Sequence, residues 1–248
     1  MSRLLLVVAI ILTFSTAPLA ADESIDSLLS EATRASQRRE HDRAVKLLTA
    51  VLEKDPQLAD AWYLRGRANF CDGRIAESVA DFDKFVALSP ASESRQWERG
   101  IAYYYAGEYA KGAKQFELYQ TYHDQDVENS VWRYLCVART DGVEKAQANM
   151  LPIENDRRVP MMQIYDLYRG KLKPEDVLAA ARAGQPMRDA LNSRLFYAHL
   201  YLGLWHEAAG RAAEAKEHLL KAEEHTIGHY MWDVAHVHAE RVRAEGNR

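Results

Sequence analysis

On both sides of Asp72-Gly73, apolar and small residues recur at steps of three and four: Trp62 and Gly66 before it, then Ile75, Ser78, Phe82 and Phe85, with Pro90 at the end. Those steps put the positions on one face of a helix, and Asp-Gly is a turn signal. The segment therefore predicts two amphipathic helices packed antiparallel. Gly66 and Ser78 let the backbones approach, Phe82 fills the space between them, and Pro90 ends the second helix. A pair of this kind leaves an apolar face uncovered, so it needs neighbours stacked against it.

The order repeats. Pro56 and Pro90, Ala32 and Gly66, Gly66 and Gly100, Gly73 and Gly107, and the series Leu48, Phe82 and Phe116 are each 34 residues apart, a period that marks helix-pair repeats. Units are expected at about 25–58, 59–92 and 93–126, with degenerate ones at 127–160 and 161–195. A sixth is expected at 196–229, where Leu202-Gly203, Gly210, Ala215, Leu219 and Ala222 restore the pattern. A closing helix over 230–244 follows, and the polar Arg241, Arg243 and Glu245 suit the exposed end of a stack.

With Phe116 beyond it, the run Gly-Ile-Ala-Tyr-Tyr-Tyr-Ala-Gly-Glu-Tyr from Gly100 to Tyr109 resembles the tetratricopeptide-repeat (TPR) family, as do Trp62, Phe82 and Pro90. Tyr134 stands where that family carries glycine. The resemblance implies an all-α fold: a right-handed solenoid of antiparallel helix pairs, forming one domain over residues 22–248. In such solenoids the first helix of each pair lines the concave side. Carried over position by position, that implies candidate peptide contacts at Tyr63, Arg67 and Phe70, at Trp97, Ile101, Tyr104 and Tyr105, and at Arg139, with Glu128, Val131 and Leu135 beside it. Aromatic rings give large contact area with few rotors to freeze, and the arginines can pair carboxylates. Tyr103 and Tyr109 are expected in the core. The partner expected is a protein or peptide; the alternative is a structural subunit of an envelope complex or homo-oligomer, using the convex face or the end helices.

The first 21 residues stand outside the pattern: Arg3, an apolar run of 11 residues from Leu4 to Phe14, then small residues up to Ala21. This is the form of a secretory signal, too short to span a bilayer, which takes about 20 residues. Cleavage after Ala20 or Ala21 is expected, giving a periplasmic or secreted, soluble chain. No cysteine follows for lipid attachment. An export signal ahead of a short TPR array also resembles, more loosely, cell-envelope adaptors of the NlpI type.

Composition agrees with helices: only 12 Gly and 7 Pro, with 27% charged residues. The formal charge is −4, without a single-sign block that could track phosphates, so nucleic acid is not an expected partner. Cys71 and Cys136 lie in no CxxC or Cys/His spacing. No catalytic, Gly-rich phosphate-binding or metalloprotease motif occurs, so neither an enzyme nor a cofactor is expected. His229, Asp233 and His236 share one helix face and carry a third reading, a metal-dependent activity. His199 and His206 are expected partly buried, and His218 and His238 at the surface or a helix end. The acid pairs Asp81/Asp83 and Glu223/Glu224 are expected on solvated faces.

Overall fold

In the computed structural model, residues 23–245 are described; the leader expected over residues 1–21 lies outside them. The described chain is helical, with no strand. The helices follow one another in pairs: α1 (Ile25–Gln37) with α2 (His41–Lys54), α3 (Ala59–Cys71) with α4 (Ile75–Leu88), and α5 (Trp97–Tyr105) with α6 (Tyr109–Gln120). Next come α7 (Val127–Asp141) with α8 (Val143–Ala148), α9 (Met161–Tyr168) with α10 (Pro174–Arg182), and α11 (Arg188–Ala208) with α12 (Ala212–Glu224), before α13 (Tyr230–Glu245). A 3-10 turn, Pro90–Arg95, precedes α5.

Close approach within a pair has a steric cause. A Cβ placed on Gly66 would sit 3.1 Å from the Phe82 ring, and one on Gly100 only 2.7 Å from that of Phe116. The Ser78 hydroxyl then reaches across and donates to the Gly66 carbonyl at 2.8 Å. Between the helices, Gly73 and Gly107 turn the chain at φ of 77° and 78°. Arg39 holds the same place one period earlier, at φ 59°, a left-handed conformation that costs a residue with a Cβ about 1–2 kcal/mol.

The repeats are also laced together by a ladder of arginines. Arg65, Arg99 and Arg133 stand 34 apart, and each reaches 16 residues back and 16 forward. Arg65 takes Thr49 at 3.1 Å and both oxygens of Asp81 at 2.7 and 2.9 Å. Arg99 takes Asp83 at 2.8 Å and Gln115 at 3.0 Å. Arg133 takes Glu117 and the Asn149 carbonyl. Each rung therefore ties the first helix of one unit to the second helix of the unit before. Asp81 is 3% exposed and also receives the Asn69 amide at 2.8 Å; the expectation of a solvated Asp81/Asp83 pair is corrected, because the ladder buries one and pairs both.

After Arg133 the ladder stops; Leu167 occupies the next place. There the glycine position is filled twice by tyrosine. Tyr134 and Tyr168, both 1% exposed, meet edge-to-face at 4.9 Å, and the Tyr168 hydroxyl donates to the Tyr201 carbonyl at 2.8 Å. Two rings need the space that a full second helix would take. Accordingly α8 has only 6 residues and is followed by an irregular segment to Pro160.

The chain does not finish on the outer end of the stack. From α12, α13 turns back across the concave side to α3, and Tyr230, Met231, Val234, Ala235, Val237 and His238 are buried there. Arg241 and Glu245 are exposed and Arg243 half-exposed, while the other side of α13 has an apolar face to bury, and the aromatic wall of α3 and α5 supplies the matching surface.

Candidate functional site

Of the residues expected on the concave side, Phe70, Trp97, Arg67 and Tyr105 lie against α13. Phe70 (0% exposed) meets Tyr105 edge-to-face at 5.1 Å and Tyr230 at 5.8 Å. Arg67 stacks over Tyr230 at 4.5 Å, a cation–π contact. Trp97 stacks on His229 at 6.1 Å and meets Tyr230 edge-on. Ile101 is fully buried. Tyr63 packs on Phe85 of its own repeat at 5.3 Å, and its hydroxyl donates to Glu98 of the next at 2.7 Å. Phe70, Ile101, Tyr104 and Tyr105 are therefore not an open lining; of these candidates Trp97, Arg67, Tyr63 and Arg139 retain exposed surface.

Below them runs a polar chain from four helices. The Tyr105 hydroxyl and His238 Nδ1 are 2.8 Å apart, His238 Nε2 lies 3.5 Å from Glu207, and Arg139 pairs Glu207 at 3.1 Å while donating to the Tyr104 hydroxyl. Burial raises the Glu207 carboxyl, but the neighbouring His238 imidazole and the Arg139 and Arg241 charges outweigh it and hold the group below its ordinary value. His238 is 3% exposed, so its expected surface position is corrected.

One part of the wall stays open beside α13. A cleft of about 350 Å³ is lined by Trp97, Tyr119, Trp132, His229 and Met231, with Glu128 and Arg158 at its polar end. Arg158 gathers three acids: Asp126 at 2.6 Å, Glu128 at 2.5 Å and Asp156 at 2.5 Å. Tyr201 donates to the other Glu128 oxygen at 2.6 Å. Burial, reinforced by Asp126, pushes the Glu128 carboxyl up to about 7, against the pull of Arg158 and Tyr201. Asp156 stays below its usual value, because hydrogen bonds from Arg158 and from the Val127 amide override its burial. Glu128 belonged to the sequence pattern; Arg158 did not, since it sits in an irregular segment with no repeat register.

The histidine set divides. His229, Asp233 and His236 diverge: His229 faces Trp97, Asp233 accepts from Arg39 at 3.2 Å, and His236 bonds Glu223 at 2.6 Å while stacking on Trp232. That trio cannot hold one ion in this arrangement, which corrects the third reading. His199 and His206 are buried, and His199 Nδ1 meets His218 Nδ1 at 2.9 Å in a stack of imidazoles that includes His225. Burial, then the neighbouring imidazoles, pushes His199 down to about 4. Glu223 is paired by Arg243 and His236 rather than free on a solvated face.

A sequence model of the tetratricopeptide repeat matches residues 29–93. No curated protein sequence matches the chain. Among solved structures, the chain is similar to the MamA protein at 14% identity, covering 81% of this chain and 91% of that one, with a TM-score of 0.47. It is also similar to YrrB, described as a TPR protein with an unusual peptide-binding site, at 16% identity, 89% and 100% coverage and a TM-score of 0.44. A third is TTC0263, a thermophilic TPR protein in Thermus thermophilus, at 16% identity, 87% and 98% coverage and a TM-score of 0.46. Residues 29–93 thus match a tetratricopeptide repeat, and the described chain continues the same kind of helix pair beyond them, past the Tyr134–Tyr168 contact to α13, as an all-α solenoid.

Proposed function

We propose that the protein is an exported scaffold that holds a polypeptide partner on its concave side, without catalysing a reaction. TPR folds serve in general as protein-interaction scaffolds, and the finer reading rests on one observation: the concave aromatic wall already holds a helix, the chain's own α13, through Phe70, Trp97 and Arg67, and leaves the cleft from Trp97 to Arg158 open beside it. A partner segment entering there meets rings at one end and mixed charge at the other. Its burial against Trp97, Tyr119 and Trp132 would supply the affinity, and Arg158 and Glu128 its orientation. Export is supported by the basic, apolar and small-residue order of residues 1–21. Among the described residues, no helix is long and apolar enough to cross a membrane.

The test uses a photoreactive residue placed at Trp97 or, for comparison, at exposed Lys114 on α6, followed by irradiation in the native cell envelope. Crosslinks to a defined polypeptide from position 97, absent from position 114 and reduced by Tyr119→Ala, support the reading. The same adducts from both positions refute it. Fusing residues 1–22 to a reporter active only outside the cytoplasm tests export separately.

A further inference from the structure

We propose that His41, Cys71 and Asp233 form a binding site for a divalent transition-metal ion of zinc type, clamping the returning helix α13 to the first two repeats. His41 opens α2, Cys71 ends α3 and Asp233 lies in the first turn of α13. Their donor atoms lie within 4.8 Å of one another. Tetrahedral zinc, with bonds of about 2.0–2.3 Å, spaces its donors roughly 3.3–3.8 Å apart, so small side-chain rotations close the set. Nitrogen, thiolate and carboxylate are the donors that zinc takes.

Three further observations single out this cluster. The Nδ1 of His41 is shielded from solvent and has no hydrogen-bond partner, an unusual state for a buried polar atom. Cys71 carries no disulfide. Beside them lies a cavity of about 430 Å³, walled by Leu48, Leu64 and Ala68 and giving an ion and its water a way in. Arg39 donates to Asp233 Oδ1 at 3.2 Å, which leaves the second carboxylate oxygen for the metal and fixes the group from outside, as outer partners of metal ligands do. Arg39 holds its left-handed backbone at that very place. By contrast, the other cluster of this kind, Glu223, His236 and Glu240, already has Arg243 seated between its two carboxylates.

On binding, the Cys71 thiol gives its proton to solvent and the thiolate bonds the ion. Two ligand charges then balance the divalent cation, and the fourth position faces the cavity and takes water. No redox step is involved. The site stands apart from the polypeptide-binding reading, and either can fail without the other.

The full chain, purified without a histidine tag and stripped with chelator, is titrated with Co²⁺. One equivalent is expected, with a sulfur-to-cobalt charge-transfer band in the near ultraviolet that one equivalent of Zn²⁺ removes. Cys71→Ser should abolish the band while Cys136→Ala keeps it. His41→Ala and Asp233→Asn should each weaken binding about tenfold or more, since even outer partners contribute that much, with circular dichroism unchanged. Zn²⁺ should also slow amide exchange in Tyr230–Glu245. No stoichiometric uptake, a band that survives Cys71→Ser, or uptake without any charge-transfer band would each overturn the proposal.

Discussion

Replacing Tyr230 tests whether α13 is held by its ring or by its hydroxyl. The ring is 5% exposed and touches Phe70, Trp97 and the Arg67 guanidinium, whereas the hydroxyl is buried without a protein partner. Truncating a buried aromatic side chain costs about 3–5 kcal/mol. Removing an unsatisfied buried hydroxyl costs nothing and can gain up to about 1 kcal/mol. Tyr230→Ala should therefore loosen α13, and Tyr230→Phe should not. In a stack of repeats the loss is felt first by the local opening of the affected element, and 3–5 kcal/mol corresponds to about two to three and a half decades in an equilibrium. Hydrogen exchange followed by mass spectrometry should show faster exchange in Tyr230–Glu245 by a factor on the order of a hundred or more in the alanine variant, with α6 and α7 unchanged. If Tyr230→Ala leaves that segment protected, or if Tyr230→Phe loosens it as much, the account of α13 as a ring-anchored helix is wrong.

Three further expectations concern the scaffold. Arg65→Ala should cost about 3 kcal/mol or more by urea denaturation, because it strands the nearly buried Asp81, whereas Arg133→Ala should cost clearly less, its partner Glu117 being 48% exposed; equal losses would remove the ladder as a graded support. Gly100→Ala should lower stability by about 1–3 kcal/mol through overpacking against Phe116, and a thermal midpoint equal to wild type would show that the ring gives way freely. Because His199 is held near 4 against an ordinary 6.5, the unfolded chain binds more protons between those values, so stability present above pH 6.5 falls as the pH drops toward 4. His199→Asn should flatten that slope in denaturation midpoints taken from pH 7 to 4.5, and an unchanged slope would place the titration elsewhere.

The helix pairs were legible because Gly66, Gly100, Phe82 and Phe116 act locally: each pattern position meets a partner in its own hairpin. The arginine ladder was equally periodic, yet its meaning depends on partners 16 residues away on two different helices, which no helical-face count brings together. The concave aromatic set was picked out by register, but its cover was not, because Tyr230 and His238 belong to the far end of the chain. Chain spacing likewise set Cys71 aside, since its neighbours His41 and Asp233 lie 30 and 162 residues away. Tyr134 was visible as a departure, while its pairing with Tyr168 needed the three-dimensional neighbour to explain the shortened α8.

The return of α13 to α3 and to the α1–α2 turn changes how the molecule divides into cooperative parts. An open array can fray from either end, one unit at a time, because each unit answers only to its neighbours. Here Arg39 of the first repeat and Phe70 of the second hold Asp233 and Tyr230 of the last helix, so the array has become a loop. Releasing the last helix exposes the aromatic wall of the second and third repeats, and weakening the first repeat loosens the last helix. The first repeat and the last helix, usually the most expendable parts of a repeat protein, are here each other's neighbours.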